Sequence, residues 1–373
     1  MLNPGRILYV DAWRFIAIAL VIASHIVEFS HPWYKENAPG LAWRLQGAGM
    51  FGVQIFFCIS GFVICRGTLS ELAKTGSVNI KGFYIRRFFR IVPPLLVYFL
   101  GVGALVTAGI AEVNFGQFVQ SSLFLCNISA LGSCSWWLGH TWSLAYEEQF
   151  YLLFPLLVMG TTLAVKPARR RFLMGAAGLI LLACCALIAG VHGLAKYVST
   201  LNFMLSGCVF AAYWHNIEPF AKRQSPFLWA FIATGTFGVG CFFAISDLVR
   251  QVLTASIMPF AICITVFGTP IAVPAIGKIF LSKWIGHLGK ISFSVYLWQQ
   301  LATANYGQSS VAFVYYMLIA VFAFALVSYQ YFELPLIQTG ARVAKKFGFK
   351  ATNDLNRQET TSGLESAPQE ALG

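Results

Sequence analysis

Long apolar runs, each closed by glycine, proline or a group of charges, recur at residues 7–29, 47–66, 91–111, 141–164, 172–192, 198–216, 226–246, 253–272, 290–307 and 311–334. At 1.5 Å per helical residue, runs of this length suit a hydrocarbon core of about 30 Å. The pattern predicts an all-α polytopic membrane protein with about ten transmembrane helices. Residues 115–131 are apolar but short and interrupted, which reads as an external or re-entrant piece rather than a further crossing. The opening run has no short apolar region ending in a small-residue cleavage site, so it reads as a permanent span. Residues 351–373 are polar and free of aromatics, the composition of a disordered tail. The expected division is a transmembrane domain over 1–340 and a cytosolic tail over 341–373.

Composition strengthens the membrane reading. Of 373 residues, 58% are hydrophobic and 11% charged, and the mean hydropathy is +0.69, which excludes an ordinary soluble enzyme. A net charge of +12 raises the possibility of a nucleic-acid partner, but the positions of the basic residues point elsewhere. With the N-terminus inside and ten crossings, Lys35, Arg44, Lys196 and Arg250 fall outside and Arg14 falls within the membrane. Every other lysine and arginine then lies on the cytosolic side, as the positive-inside rule requires, so both termini are expected in the cytosol of a bacterial inner membrane. Most cysteines sit among apolar residues without zinc-ligand spacing, and no metal is expected. Cys126 and Cys134 share an external segment where an oxidising periplasm permits pairing.

Costly groups then stand out against the apolar background. Asp11, Arg14 and His25 lie inside the first run. At 100° per residue, Arg14 and His25 share one helical face about 16 Å apart, and Asp11 is one turn before Arg14. A charge facing lipid is too expensive to retain, so this stripe is expected to face a protein interior or a water-filled cavity. A second group is Arg86, Arg87 and Arg90, interleaved with Phe83, Tyr84, Phe88 and Phe89 just before the third run. Guanidinium forks match phosphate bidentately and stay charged, so they suit a phosphorylated ligand, although cytosolic anchoring to anionic lipid gives the same pattern. A third group enters the membrane from outside. There His140, Trp142 and Ser143 precede Glu147, whose i,i+4 neighbour is Tyr151.

These residues carry a family resemblance. The Arg14/His25 pair, FFCISGFVI at 56–64, FYIRRFFRIVP at 83–93, TWSLAYEEQFYLLFP at 141–155, LGKISFSVYLWQ at 288–299 and YFELP at 331–335 occur in order over most of the chain. Together they resemble acyltransferase family 3, the ten-span membrane acyltransferases that O-acylate bacterial surface glycans. The resemblance implies an acyl-CoA donor, usually acetyl-CoA, bound from the cytosol and no permanently bound cofactor. It implies an acceptor hydroxyl on a cell-surface or lipid-linked glycan, such as lipopolysaccharide, exopolysaccharide or a peptidoglycan precursor. Carried onto this chain, it makes Arg14 and His25 the essential pair, Arg87 and Arg90 the donor-site motif and Glu147 the carboxylate of the WSLxxE motif. One departure stands out: members often read YLWH where this chain has Tyr296-Leu297-Trp298-Gln299. Many members also append a soluble esterase-like domain after the last span. This chain is expected to act as a membrane domain, alone or with a partner from polysaccharide biosynthesis.

The combined expectation puts CoA phosphates on Arg86, Arg87, Arg90 and Arg14, with the thioester near His25. His25 is the candidate general base, or the site of a transient acyl-imidazole, with Glu147 orienting it and Asp11 holding Arg14. His140, Trp142, Ser143 and Tyr151 are candidates for the acceptor end. A proton-coupled transporter using the same buried groups is the alternative from another class, but it leaves the cytosolic arginines unexplained.

Overall fold

The computed structural model describes residues 9–30, 36–37, 39–159, 165–242, 247–304 and 311–347. The tail expected from residue 351 onward lies outside the described residues. All regular structure among those described is helical, as a chain without water to satisfy its backbone requires.

The first three helices carry most of the candidate residues. Helix α1 (Tyr9–His25) ends in a π turn, Ile26–Ser30. Helix α2 (Pro39–Thr75) runs 37 residues, far beyond the predicted 47–66. Helix α3 (Ile80–Thr107) is capped by Asn79, whose side chain accepts from the Gly82 amide at 2.8 Å. The predicted boundary at 91 is therefore too late, and Arg86, Arg87 and Arg90 belong to the first turns of the same helix. Pro93 and Pro94 lie inside it, and the local sequence gave the earlier start no strong apolar signal.

The external piece is α4 (Phe115–Ser122), eight residues closed by an Asn114/Gln117 capping box and too short at about 12 Å to cross. Cys126 and Cys134 are disulfide-bonded, with their Cα atoms 5.8 Å apart. The short helix α5 (Trp136–Gly139) leads into α6 (Thr141–Met159). Helices α7 (Val165–Ile188) and α8 (His192–Ala212) form the next antiparallel pair.

The second half is more broken. It comprises α9 (Trp214–Arg223), α10 (Pro226–Phe237), α11 (Asp247–Ser256), α12 (Met258–Ala272), α13 (Pro274–Phe280), α14 (Lys283–Lys290), α15 (Ser292–Ala302) and α16 (Val311–Ser328). A π turn, Tyr329–Glu333, continues α16 into one helical rod reaching Phe347. Six described helices are long and apolar enough to cross a membrane. A seventh crossing results when Val249–Ser256 and Met258–Ala272, which meet at 52°, are taken together. The runs predicted at 141–164, 226–246 and 290–307 fold as the shorter or more polar helices α6, α10 and α15.

Helix α2 is the axis of the bundle, packed between α1 and α8. Its crossing with α8 is backbone against backbone. A Cβ on Gly61 would collide with the Met204 carbonyl, and a Cβ on Gly207 would collide with the Cys58 carbonyl. In lipid, small residues permit such approach and van der Waals packing supplies the attraction. Buried thiols reinforce the crossing, with Cys208 Sγ donating to Gly61 O at 3.3 Å and Cys65 Sγ to Cys208 O at 3.5 Å. On the other side of α1, Gly289 of α14 abuts the Asp11 backbone so closely that a side chain there has no room. These contacts fix α1, and with it Asp11, Arg14 and His25.

Gly207→Val is expected to destabilise the bundle by at least the roughly 1–3 kcal/mol of a core overpacking, because rigid backbone cannot yield. Gly103, with open space around its would-be Cβ, is the control: Gly103→Ala should leave the melting temperature in detergent within about 2 °C, while Gly207→Val lowers it strongly.

Candidate active site

The intramembrane pair has the predicted geometry. Arg14 Nη1 is 3.4 Å from Asp11 Oδ1, with Asp11 almost wholly buried. Both line a cavity of about 1040 Å³ bounded by α1, α2, α3, the α8/α9 junction, the facing ends of α14 and α15, and the π turn and helical rod that follow α16. The expensive charges thus face an internal space rather than lipid.

The cavity wall carries Arg14, Arg66, Lys74, Arg90 and Lys290 against Asp11 and Glu333, a strong surplus of positive charge. Arg90 lies within electrostatic reach of Arg14, Arg87 and Glu147. Arg66 stacks over Trp214 at 5.5 Å from the ring centroid, which holds the guanidinium at the wall. Arg86 and Arg87 do not line this cavity. Arg86 is half exposed and pairs with Glu71 at 3.6 Å. Arg87 lies 3.9 Å above the Tyr151 ring, on the side of α3 that meets α6. Helical phase separates the two: at 100° per residue Arg86 and Arg87 lie on opposite flanks of Arg90, about 40° and 60° from it around the axis.

Arg66, Lys74, Lys290 and Glu333 were not singled out in the sequence. Arg66, Ser70 and Lys74 recur at i,i+4 along one face of α2, a legible signal that the positive-inside count absorbed as anchoring. Glu333 lies inside the YFELP segment and accepts from Ser328 Oγ at 3.2 Å.

Glu147 occupies the middle of the bundle. Its oxygens accept from Ser60 Oγ at 2.7 Å and Tyr151 OH at 3.1 Å, so α2 and α6 are joined through the carboxylate. The Arg87 guanidinium above Tyr151 adds α3 to this knot. Glu148 has turned away, as its 100° offset predicts, with one oxygen lacking a hydrogen-bond partner among the described residues.

His25 meets a different side chain from the one anticipated. Its Nδ1 is 3.0 Å from Gln299 Oε1 of α15, and its ring packs edge-on to Trp136, with centroids 5.1 Å apart. Gln299, noted in the sequence as standing where histidine is common, thus reaches the imidazole that Glu147 was expected to orient. His140 is buried nearby, its ring 4.9 Å from that of Tyr98 and neither ring nitrogen hydrogen-bonded among the described residues. Ser143 Oγ and Tyr296 OH are 2.6 Å apart, and both also reach the His140 carbonyl. These groups form a polar floor between Glu147 and the His25 ring. Trp142 packs against Phe57 and Tyr146 and belongs to the wall rather than to this floor.

The arrangement therefore has two parts: a cation-lined chamber at one end of α1 and an imidazole among neutral polar groups at the other. No solved structure matches the chain. The peptidoglycan O-acetyltransferase OatA of Listeria monocytogenes is 27% identical over 370 residues, covering 89% of this chain and 56% of the relative. The O-acetyltransferase OatA of Staphylococcus aureus is 26% identical over 390 residues, covering 94% of this chain and 59% of the relative. The chain thus spans little more than half the length of these relatives. A family model described as an acyltransferase domain matches residues 7–332, and the chain belongs to this acyltransferase family.

Proposed function

We propose that this chain is a membrane O-acetyltransferase that takes an acetyl group from cytosolic acetyl-CoA and transfers it to a hydroxyl of a glycan at the outer side of the bacterial cytoplasmic membrane. The observation that carries this reading is the chamber in which Arg14, Arg66, Lys74, Arg90 and Lys290 outnumber Asp11 and Glu333. CoA bears several phosphate charges, and a chamber of about 1040 Å³ is of the size that accommodates a cofactor-sized ligand. A proton-coupled transporter has no use for so many fixed cations at one end.

Taking both termini as cytosolic sets this chamber at the cytosolic face and His25 toward the outside. The disulfide between Cys126 and Cys134 then lies on the external side, where oxidising conditions sustain it. The relatives' names support acetyl as the group transferred and, in one case, peptidoglycan as an acceptor.

In this reading the phosphates rest on the chamber's cations and the pantetheine arm follows the polar face of α1. Arg14 and His25 are about 16 Å apart along that face, a distance an extended pantetheine matches. The acceptor hydroxyl gives its proton to His25 Nε2 while its oxygen attacks the thioester carbonyl. The tetrahedral intermediate collapses with cleavage of the C–S bond. The departing thiolate takes the proton back from the imidazolium, leaving CoA-SH and the acetyl ester. Glu147 steadies the route between the two sites by holding Ser60 and Tyr151 in place.

His25→Ala in purified protein should abolish CoA release from acetyl-CoA while the acetyl-CoA affinity stays within about threefold of wild type. Equal turnover in the two proteins would remove His25 from the chemistry. Arg90→Ala should raise the KM for acetyl-CoA by roughly 10-fold or more, the scale of one charged hydrogen bond lost. Arg86→Ala, at an exposed ion pair away from the chamber, should leave KM within about twofold.

A further inference from the structure

Gln299 and Gln300 are consecutive, fully buried amides in an apolar bundle. Such groups are retained only when each finds partners, and theirs form a line with one possible polarity. The line ends at the Trp136 main-chain carbonyl, which can only accept. Gln300 Nε2 donates to it at 2.7 Å, so Gln300 Oε1 must face the other way. There it accepts from Gln299 Nε2 at 3.1 Å, which turns Gln299 Oε1 toward His25 Nδ1 at 3.0 Å. An amide oxygen accepts, so His25 Nδ1 carries the proton. Thr303 Oγ1, 3.3 Å from the same Oε1 and 3.0 Å from the Gln299 carbonyl, holds the first amide in place.

From this line we infer that Gln299 and Gln300 are positioning residues that set the His25 tautomer, with the proton on Nδ1 and the basic lone pair on Nε2. The inference rests on the reading of His25 as the base. Reversing the tautomer sets lone pair against lone pair at Gln299. Flipping Gln299 only moves that clash to Gln300, and flipping Gln300 moves it to the Trp136 carbonyl, which cannot turn. The carbonyl therefore dictates which imidazole nitrogen is basic, three side chains away. The tip of position 299 must offer one acceptor and one donor without charge. Glutamine does so, and so does a neutral histidine, the residue common at this position in the resembling family. Glutamate accepts but cannot donate, and leucine does neither.

The test has two readouts on the full-length protein. The first is ¹⁵N NMR of histidine-labelled protein near pH 8, with the His25 signals assigned by their loss in His25→Ala. Wild type should show a protonated Nδ1 and a bare Nε2, and Gln299→Leu and Gln300→Leu should show mixed tautomers. The second is CoA release from acetyl-CoA. Gln299→Leu should lower kcat by roughly 10²-fold, the lower end of what a positioned general base contributes, with the KM for acetyl-CoA within about twofold. Gln299→His should restore most of the lost kcat, and Gln299→Glu should not. A wild-type His25 protonated on Nε2, or a Gln299→Glu as active as Gln299→His, overturns the inference. Wild type without turnover but with the Nδ1 proton sinks the transferase reading and leaves the tautomer assignment standing. Normal kcat in Gln299→Leu does the reverse.

Discussion

Lipid offers no partner to an ionised or amide group, so most such groups inside this bundle find their counterpart within the protein. That constraint explains the internal architecture better than any single helix contact. Asp11 meets Arg14, Glu147 meets Ser60 and Tyr151, Glu333 meets Ser328, and Gln299 spans from His25 to Gln300. Each pairing spans a turn of one helix or joins two helices, so the satisfied polar groups also tie the helices to one another. The chamber is the exception that gives the site its character: its cations outnumber the carboxylates beside them, an arrangement suited to an anion from outside the chain.

The two ends of α1 use different electrostatics. At the chamber, formal charges dominate, and guanidinium and ammonium groups of this kind suit phosphate-like ligands. At His25, the neighbours are the Gln299 amide and the edge of the Trp136 ring. One continuous helix carries both environments, so the spacing between them follows from the helical rise.

Much of this was legible in the sequence. The apolar runs gave the all-helical class, and the 100° rule placed Asp11, Arg14 and His25 on one stripe because a single helix obeys local geometry. Glu147 and Tyr151 met for the same reason. The residues contributed by distant helices were harder to read. Arg66, Lys74 and Lys290 look like ordinary anchoring cations until α2 and α14 are brought against α1. Gln299 was visible as a departure from the family's usual residue, but its contact with His25 spans 274 positions and depends on the docking of α15. The boundaries at 47–66 and 91–111 were too short because α2 and α3 continue as helix past the apolar stretch, where polar residues serve the chamber rather than the lipid.

The crossing of α2 with α8 at Gly61 and Gly207 has a mechanical consequence. Two backbones in direct contact have no side chains between them to compress, rotate or repack, so this point acts as a rigid fulcrum. Any motion of the helices must be taken up away from it. The helical ladder is interrupted beside His25 at Ile26–Ser30, beside Glu333 at Tyr329–Glu333, and at the 52° break between α11 and α12. The first two sit next to the imidazole and on the chamber wall respectively, so the bundle combines a stiff centre with irregular helical turns at both ends of its polar interior.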